Sequence, residues 1–211
     1  MKLLFRQRIF SWLDSYDIFD ENGEKSADFD AVLTVDGAYK AADFINFCDA
    51  YDIPVLSLTN VKGYATDVRS EKSIAKAVAK LTYAFANANV PKVNVITGEA
   101  YGSAYVTMNS KALGADVTYA WPDASIGMMD ANEAAKIMYA DDIAKSADVQ
   151  SVISEKAAEY AALQSGVESA AARGYVDTII NPEDTRKYVA AAFEMLYTKR
   201  EDRPDKKHGT V

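Results

Sequence analysis

The spacing of apolar and polar positions changes along the chain. In the first 29 residues the two kinds alternate through "FRQRIFSWLDSYDIFDENGE", which ends near Asn22-Gly23, a dipeptide typical of hairpin turns. We therefore predict a β-hairpin arm over residues 1–29, whose spacing of apolar and polar positions differs from that of the rest of the chain.

From about residue 30 the pattern alternates between short apolar runs and segments with helical spacing. The predicted strands are "DAVLTVDG" ending at Gly37, "IPVLSLTNV", "KVNVITG", "DVTYAWP", "ASIGMM" and residues 175–180. The predicted helices are "YKAADFINFCDAYD", "SEKSIAKAVAKLTYAFANAN", residues 104–113 closed by Gly114, "DANEAAKIMYA", "DVQSVISEKAAEYAALQ" and a closing helix after residue 184. Ser70 is the expected N-cap of the second helix, and Asp130 with Glu133 is spaced like a capping box. The closing helix has Asp184 or Thr185 as candidate caps.

This alternation predicts an α/β domain over residues 30–200. Ligands in such domains lie where strands end and helices begin. Two segments meet that condition, the 62–67 loop and the 102–104 turn. The 62–67 loop follows a buried strand and contains Gly63, and the 102–104 turn joins a strand to a helix through Gly102, Ser103 and Ala104.

Composition narrows the class of protein. The chain has 211 residues, 49% of them hydrophobic, which is enough for one substantial core. The net charge of −8 and the absence of a basic stripe argue against nucleic-acid binding. Lys2, Arg6 and Arg8 interrupt the first apolar run too early for a secretory signal, and no later window is long enough for a membrane span. The sequence therefore predicts a cytoplasmic protein.

Soft metal ligands are scarce. The chain has one cysteine, Cys48, in a predicted apolar helix, and one histidine, His208, in the polar segment 201–211, which we expect to be a flexible tail. Cys48 is better explained as a buried, inert thiol, and we predict no metal site. The acidic pair Asp141 and Asp142 is expected to be solvated rather than bound to a cation.

Ser103 lies between small residues at a strand-to-helix junction, which is where nucleophilic serines occur. The required base is missing, because His208 lies in the tail and Lys111 is eight residues along the same predicted helix, about 12 Å at 1.5 Å per residue. The G-x-S-x-G pattern and the nucleotide-binding glycine motifs are also absent. We conclude that Ser103 is not a nucleophile.

The backbone of the 102–104 turn offers another chemistry. Small side chains at a helix start leave amide N–H groups open to a ligand, and two such donors form an oxyanion hole. A tight crossing of helix and sheet requires small residues as well. The residues by themselves leave these two interpretations open.

A family resemblance adds to this picture. The stretches "KAADFINFCDAYDIPVLSLTNVKGY", "KLTYAFANANVPKVNVITGEAYGSAYVTMNSKALGADVTYAWPDASIGMM" and "AAARGYVDTIINPEDTRKYVAAAFEML" resemble the C-terminal half of biotin-dependent acyl-CoA carboxyltransferases. The relatives include propionyl-CoA carboxylase β-subunits and the α-subunits of methylmalonyl-CoA and glutaconyl-CoA decarboxylases. The resemblance implies a crotonase-like fold of repeated ββα units.

It also implies a function, the transfer of a carboxyl group between carboxybiotin and the α-carbon of an acyl-CoA. On this resemblance, the amides of Ser103 and Ala104 hold the ureido carbonyl of biotin, and Gly63, Tyr64 and Gly102 line the same pocket. Biotin would arrive on a separate carrier protein, since no Met-Lys-Met biotinylation motif occurs here. A CoA-binding N-terminal half is the second implied partner. Members of the family assemble into oligomers, so the resemblance also implies a homo- or hetero-oligomer.

The sequence departs from the family pattern at two places in this site. The family commonly has G-G-A-Y-D where this chain has Gly102-Ser103-Ala104-Tyr105-Val106, so that Val106 replaces an acid often found near the acyl pocket. The usual Pro-Gly-Phe-Leu-Pro-Gly loop is replaced by "KGYATD", the 62–67 loop. The identity of the acyl group is therefore open.

The family's N-terminal half has no counterpart in this sequence. Residues 1–25 resemble instead the opening of LURP-one-related proteins, which are β-rich folds with membrane or lipid associations. We expect no activity without a CoA-binding half. The alternatives are a non-catalytic remnant or assembly partner that keeps the fold, and a crotonase-type hydratase or isomerase with its own carboxylates.

Overall fold

The computed structural model describes residues 4–6, 17–19, 25–27, 32–146 and 148–201, with only the strand backbone in the three short N-terminal segments. The strands are β1 (Leu4–Arg6), β2 (Asp17–Phe19), β3 (Lys25–Ala27), β4 (Val32–Leu33), β5 (Val55–Val61), β6 (Gly63–Tyr64), β7 (Lys92–Tyr101), β8 (Val117–Ala120), β9 (Ser125–Gly127) and β10 (Thr178–Ile179). The helices are α1 (Val35–Ala50), α2 (Val68–Asn87), α3 (Gly102–Thr107), α4 (Ala131–Met138), α5 (Ala140–Lys145), α6 (Val149–Tyr160), α7 (Val167–Ala172) and α8 (Thr185–Met195). Short 3₁₀ turns occur at Lys111–Leu113 and Pro182–Asp184, and a π-helical turn at Ala161–Ser165.

The main sheet is parallel, in the order β10, β8, β7, β5. β7 is the longest strand, and its two halves have different neighbours. Its first half pairs with β8, and its last residues pair with β9. β4 and β6 form a separate parallel pair, and β1, β2 and β3 form an antiparallel sheet. The α/β class predicted from the alternating pattern is confirmed.

Both faces of the main sheet are covered, and β7 is accordingly buried at every position from Lys92 to Ile96. Ile96, Ala100 and Ala120 pack with α1 and α2 in the larger hydrophobic cluster of the described residues. Val93, Val95 and Tyr119, which alternate with them along the strands, pack with residues of α8 in a second cluster.

Two predicted helix starts were wrong, and side-chain capping explains both. "DAVLTVDG" was expected to be a strand up to Gly37, but β4 ends at Leu33 and α1 begins at Val35, because the Thr34 hydroxyl accepts a hydrogen bond from the Gly37 amide at 3.0 Å. Ser70 was expected to cap α2. The cap is Asp67, whose carboxylate accepts from the amides of Arg69 and Ser70 at 2.8 and 2.9 Å. These hydrogen bonds lower the pKa of Asp67.

The helix predicted over residues 104–113 is interrupted. α3 ends at Thr107, and Asn109 takes a left-handed conformation with φ of 57° before the 3₁₀ turn. Asparagine adopts this conformation more readily than most residues. Gly114 ends the segment in a left-handed conformation, as predicted. Asp130 caps α4 as expected, whereas the strand predicted over 175–180 is limited to Thr178–Ile179.

Part of the N-terminal and C-terminal predictions lies outside the described residues. β2 and β3 are antiparallel neighbours, but Asn22-Gly23 between them is not described, so the hairpin turn and the division at residue 29 stay predictions. His208 and nearly all of the predicted tail 201–211 are also outside the described part. In the described residues, no helix is long and apolar enough to cross a membrane.

Candidate functional site

The 62–67 loop and the 102–104 turn meet at one edge of the sheet. β5 and β7 are parallel neighbours, so their carboxyl ends lie at the same edge. The chain passes from β5 into β6 and from β7 directly into α3. The Tyr64 hydroxyl donates a hydrogen bond to the Ser103 hydroxyl oxygen at 2.9 Å, and this bond joins residues 39 apart in sequence. The two segments singled out from the sequence therefore face each other.

Gly102 allows the sharp change of direction between β7 and α3. Its φ is +59°, in the left-handed region that residues with a side chain seldom occupy. A Cβ at this position would also lie 3.0 Å from the carbonyl oxygen of Met128, which follows β9. Any larger residue would strain the turn and push it away from β9.

A β-bulge shapes the approach of β7 to the turn. The register between β5 and β7 shifts, because Thr59 pairs with Ile96 but Val61 pairs with Ala100. Asn60 fills the gap with its side-chain oxygen, which accepts from the Glu99 amide at 2.9 Å and would lie 2.8 Å from a Cβ on Gly98. The bulge thus explains Gly98, and bulges of this kind re-aim a strand beside functional sites.

The predicted site residues differ in exposure. Ser103 is exposed, Gly63, Tyr64 and Gly102 are half-buried, and the Ala104 side chain is only 2% exposed within the core. Val106 lies one helical turn beyond Ser103 and is 42% exposed. Ser103 and Val106 therefore share the open side of α3, while Ala104 and Tyr105 face inward.

The geometry of the turn permits the backbone chemistry. The amides of Ser103 and Ala104 belong to the first turn of α3, where N–H groups have no carbonyl partner inside the helix. Because α3 has only six residues, these donors would act through direct hydrogen bonds rather than through a helix dipole. Neither side chain blocks them, because one is small and buried and the other is a serine tied to Tyr64.

The contacts of the described residues pair neither the Ser103 hydroxyl nor Lys111 with the other. The Lys111 ammonium pairs with Asp177 at 2.6 Å, and the hydrogen-bond partner of the Ser103 hydroxyl is Tyr64. The Thr107 hydroxyl donates to the Ser103 carbonyl at 2.6 Å, which fixes the short helix without touching the serine side chain. This arrangement agrees with a serine that is not a nucleophile.

Other candidate groups have structural explanations. Cys48 is buried, and burial raises the pKa of its thiol, as expected of an inert cysteine. Asp141 and Asp142 are exposed in the first turn of α5, where acidic residues favour the helix start. Among the residues that the structure describes, no group of three or more His, Cys, Asp or Glu side chains could hold a metal ion.

Two polar contacts near the turn were not found from the sequence. The Tyr101 hydroxyl donates to the Ser125 hydroxyl at 2.9 Å, and burial raises the pKa of Tyr101. The Asn60 contact with the bulge is the other. Both depend on which strands are neighbours, a property without a local signal in the sequence.

A cavity of about 580 Å³ lies at the opposite edge of the sheet, beside Pro54 and Pro91, which precede β5 and β7. Its lysine is engaged in internal contacts: the Lys199 ammonium lies 2.9 Å from the Asp116 carboxylate and donates to the Val90 carbonyl at 3.3 Å. The size of this cavity is therefore no reason to prefer it to the 102–104 turn as the candidate functional site.

Comparisons with known proteins point to one family. The family described as "Carboxyl transferase domain" matches residues 25–211. The putative propionyl-CoA carboxylase beta chain of Bacillus subtilis is 50% identical over 180 residues, which are 85% of this chain and 36% of that protein. The methylmalonyl-CoA carboxyltransferase 12S subunit of Propionibacterium freudenreichii is 43% identical over 178 residues, 84% of this chain and 34% of that subunit.

A solved structure extends the likeness to the fold. The transcarboxylase 12S crystal structure, a hexamer with methylmalonyl-coenzyme A and methylmalonic acid bound, superposes with a TM-score of 0.80 at 42% identity, covering 84% of this chain and 34% of that one. The fold is that of the crotonase-like carboxyltransferases, and the chain belongs to the carboxyl transferase domain family. It spans about a third of the length of the curated relatives that it matches.

Proposed function

We propose that this chain is the biotin-side domain of an acyl-CoA carboxyltransferase, which moves a carboxyl group between carboxybiotin and an acyl-CoA of the methylmalonyl-CoA or propionyl-CoA type. The observation that carries the proposal is the family match over residues 25–211, together with relatives named for these two acyl-CoA classes.

The residues of the 102–104 turn suit the ureido group of biotin. The left-handed backbone of Gly102 turns the chain into α3, where the amides of Ser103 and Ala104 are donors for one carbonyl oxygen. Carboxybiotin, when bound, supplies the carboxyl group and the base for the acyl-CoA α-carbon. The role of this chain is to hold negative charge on the ureido oxygen with fixed backbone donors.

The remaining site assignments belong to the same proposal. Gly63 and Tyr64 line the biotin pocket from the facing loop, and Val106, on the open side of α3, borders the acyl pocket. The proposed partners are a CoA-binding carboxyltransferase half, a biotin carrier protein and further copies of the chain. A cytoplasmic location is also proposed, and the single buried cysteine is in keeping with a reducing compartment.

Reconstitution tests the proposal. The purified chain alone should not transfer a carboxyl group between carboxybiotin and propionyl-CoA, because both reactants must be held within about 3–3.5 Å of each other. The N-terminal half of a relative, added in trans or by fusion, should restore the transfer. That half without this chain is the control.

Two outcomes would contradict the proposal in different ways. Turnover by the chain alone would show that it holds a complete acyl-CoA site. No turnover after a stable complex with the N-terminal half has formed would favour the non-catalytic assembly partner instead.

A further inference from the structure

A hydrogen bond between the hydroxyls of Tyr64 and Ser103 joins the two loops of the candidate site. The donor and acceptor oxygens are 2.9 Å apart, and the contact is open to solvent. These two positions carry phenylalanine and glycine in the family pattern described above, so neither hydroxyl belongs to that pattern.

A pair of hydroxyls leaves one proton free. Each hydroxyl carries one donor proton and two lone pairs, and their mutual hydrogen bond uses one of the two protons. The remaining O–H group can donate to a third atom. Its position is set by the pair, since Tyr64 holds the Ser103 oxygen and a hydroxyl that accepts one bond donates a stronger one.

The amides of the 102–104 turn determine which atom can accept the hydrogen bond from the free O–H group. Ser103 contributes both the hydroxyl and one of the two free amides, and the neighbouring amide belongs to Ala104. An acceptor oxygen held by these amides would therefore lie beside the Ser103 hydroxyl. The half-buried Tyr64 side chain reaches the Ser103 hydroxyl from the facing loop.

We propose that Tyr64 and Ser103 act as one ligand-binding unit, in which Tyr64 orients the Ser103 hydroxyl so that the pair donates a side-chain hydrogen bond to an acceptor oxygen bound at the 102–104 turn. Naming this acceptor as the ureido oxygen of biotin rests on the proposed function. The pair adds a side-chain donor to the two amides, and it selects ligands that carry a carbonyl oxygen over those that present an N–H group.

A double-mutant cycle on the full chain tests the unit. The variants are Tyr64→Phe, Ser103→Ala and the double substitution, and the measurement is the dissociation constant for biocytin by NMR titration in the presence of the CoA-binding half. Each single substitution should weaken binding about 3- to 10-fold, the worth of one neutral hydrogen bond. The double variant should be no weaker than the weaker single variant, because one substitution removes the oriented donor and the other removes its orientation.

Matched controls separate ligand binding from a purely structural contact. Ser103→Thr keeps a hydroxyl and should restore binding to within about 2-fold of the wild type, by the same hydrogen-bond arithmetic. Ser125→Ala breaks another tyrosine–serine pair of equal length, Tyr101–Ser125 at 2.9 Å, and should leave biocytin binding unchanged. 2-Iminobiotin, which has an N–H group in place of the ureido oxygen, should bind more weakly to the wild type, and this discrimination should shrink in Tyr64→Phe and Ser103→Ala.

The outcomes distinguish this inference from the proposed function. If the wild type binds biocytin but the two substitutions are without effect, strictly additive or without influence on the discrimination, the hydroxyl unit is overturned while the biotin site stands. If the wild type in complex with the CoA-binding half does not bind biocytin, both fail together.

Discussion

Gly102 sets the direction in which the amides of Ser103 and Ala104 point. Its left-handed backbone, with φ of +59°, and the nearby Met128 carbonyl together exclude a side chain there. The residue is therefore constrained from two sides, by its own conformation and by a neighbouring strand. The position of the donors depends on this one residue more than on any polar side chain.

Substitution of Ser103 separates its amide from its hydroxyl. Ser103→Pro removes the N–H group while keeping a φ that suits the first turn of a helix. We expect transfer by the reconstituted enzyme to fall by about 10²–10³, the usual loss for one oxyanion donor. Ser103→Ala keeps the amide and should lose no more than about 10-fold, the worth of one neutral hydrogen bond.

Circular dichroism and melting of both variants provide the control, since proline could disturb the turn. If folded Ser103→Ala lost as much activity as Ser103→Pro, the hydroxyl rather than the amide would carry the chemistry.

Tyr105 offers a test of stability with pH. Its hydroxyl is buried and has no hydrogen-bond partner among the described residues, and burial raises its pKa to about 12, with a further contribution from Tyr175. A raised pKa in the folded state means that stability is complete below the unfolded value of about 10 and is lost as pH rises towards 12.

Tyr105→Phe should therefore unfold with a free energy at least equal to that of the wild type at pH 7, and its relative advantage should grow above pH 10. Urea denaturation at both pH values measures this. A Phe variant that is clearly less stable at pH 7 would mean that the hydroxyl has a partner, such as an internal water.

At the scale of elements, a row of buried polar side chains links the sheet to α3. Ser57, Asn94 and Thr118 are register partners on β5, β7 and β8, and none has any exposed surface. The Thr59 hydroxyl donates to the Asn94 side-chain oxygen at 2.7 Å and lies 3.3 Å from the carbonyl of Met108, just after α3. The row therefore connects the middle of the sheet to the segment that ends the short helix.

Valine has nearly the shape of threonine. Thr59→Val and Thr118→Val therefore each remove one buried hydroxyl with little change in side-chain volume, and they can be compared directly. Thr59→Val leaves the Asn94 oxygen and the Met108 carbonyl without this donor and should cost about 1–3 kcal/mol of unfolding free energy, the penalty for an unsatisfied buried group. The Thr118 hydroxyl has no partner in the described residues, so Thr118→Val should change stability by less than about 1 kcal/mol.

Chemical denaturation of the two variants in parallel makes the comparison. Equal losses would indicate that the Thr59 bonds do not stabilise this segment.

At the scale of the whole molecule, large apolar side chains are exposed on elements that contact one another. Met128 follows β9, Ile137 and Met138 end α4, and Leu163 lies in the π-helical turn, and all four are more than half exposed. α4 contacts α6, and the π-helical turn contacts both α6 and β9. Because these elements are neighbours, we infer that the four side chains belong to an interaction surface.

We therefore expect the chain to self-associate or to require a partner. Light scattering of the purified chain should show assemblies larger than a monomer at high micromolar concentration, and Ile137→Glu should shift them towards the monomer. Phe47→Glu, at an exposed position on α1, is the control and should have no effect. A wild type that stays monodisperse and monomeric without a partner would contradict the prediction.

The sequence by itself determined the elements whose signals are local. Helical spacing predicted α2 and α6, short runs rich in apolar residues predicted β5 and β7, and small residues after β7 indicated the 102–104 turn. These features depend on contacts within a few residues, which a periodic pattern records directly. The resemblance to carboxyltransferases rests on the same linear order of residues, and the comparisons confirmed it.

Only the tertiary structure decided how the two loops of the site meet. Three contacts join residues that are far apart in the chain. They are the Tyr64–Ser103 hydrogen bond, the fit of Asn60 against Gly98, and the contact of the Thr59 hydroxyl with the Met108 carbonyl just after α3. Their geometry follows from the register of β5 against β7, where a shift between Thr59 and Val61 changes which side chains are neighbours. Local periodicity does not encode that shift, because it arises from packing between strands that are distant in the chain.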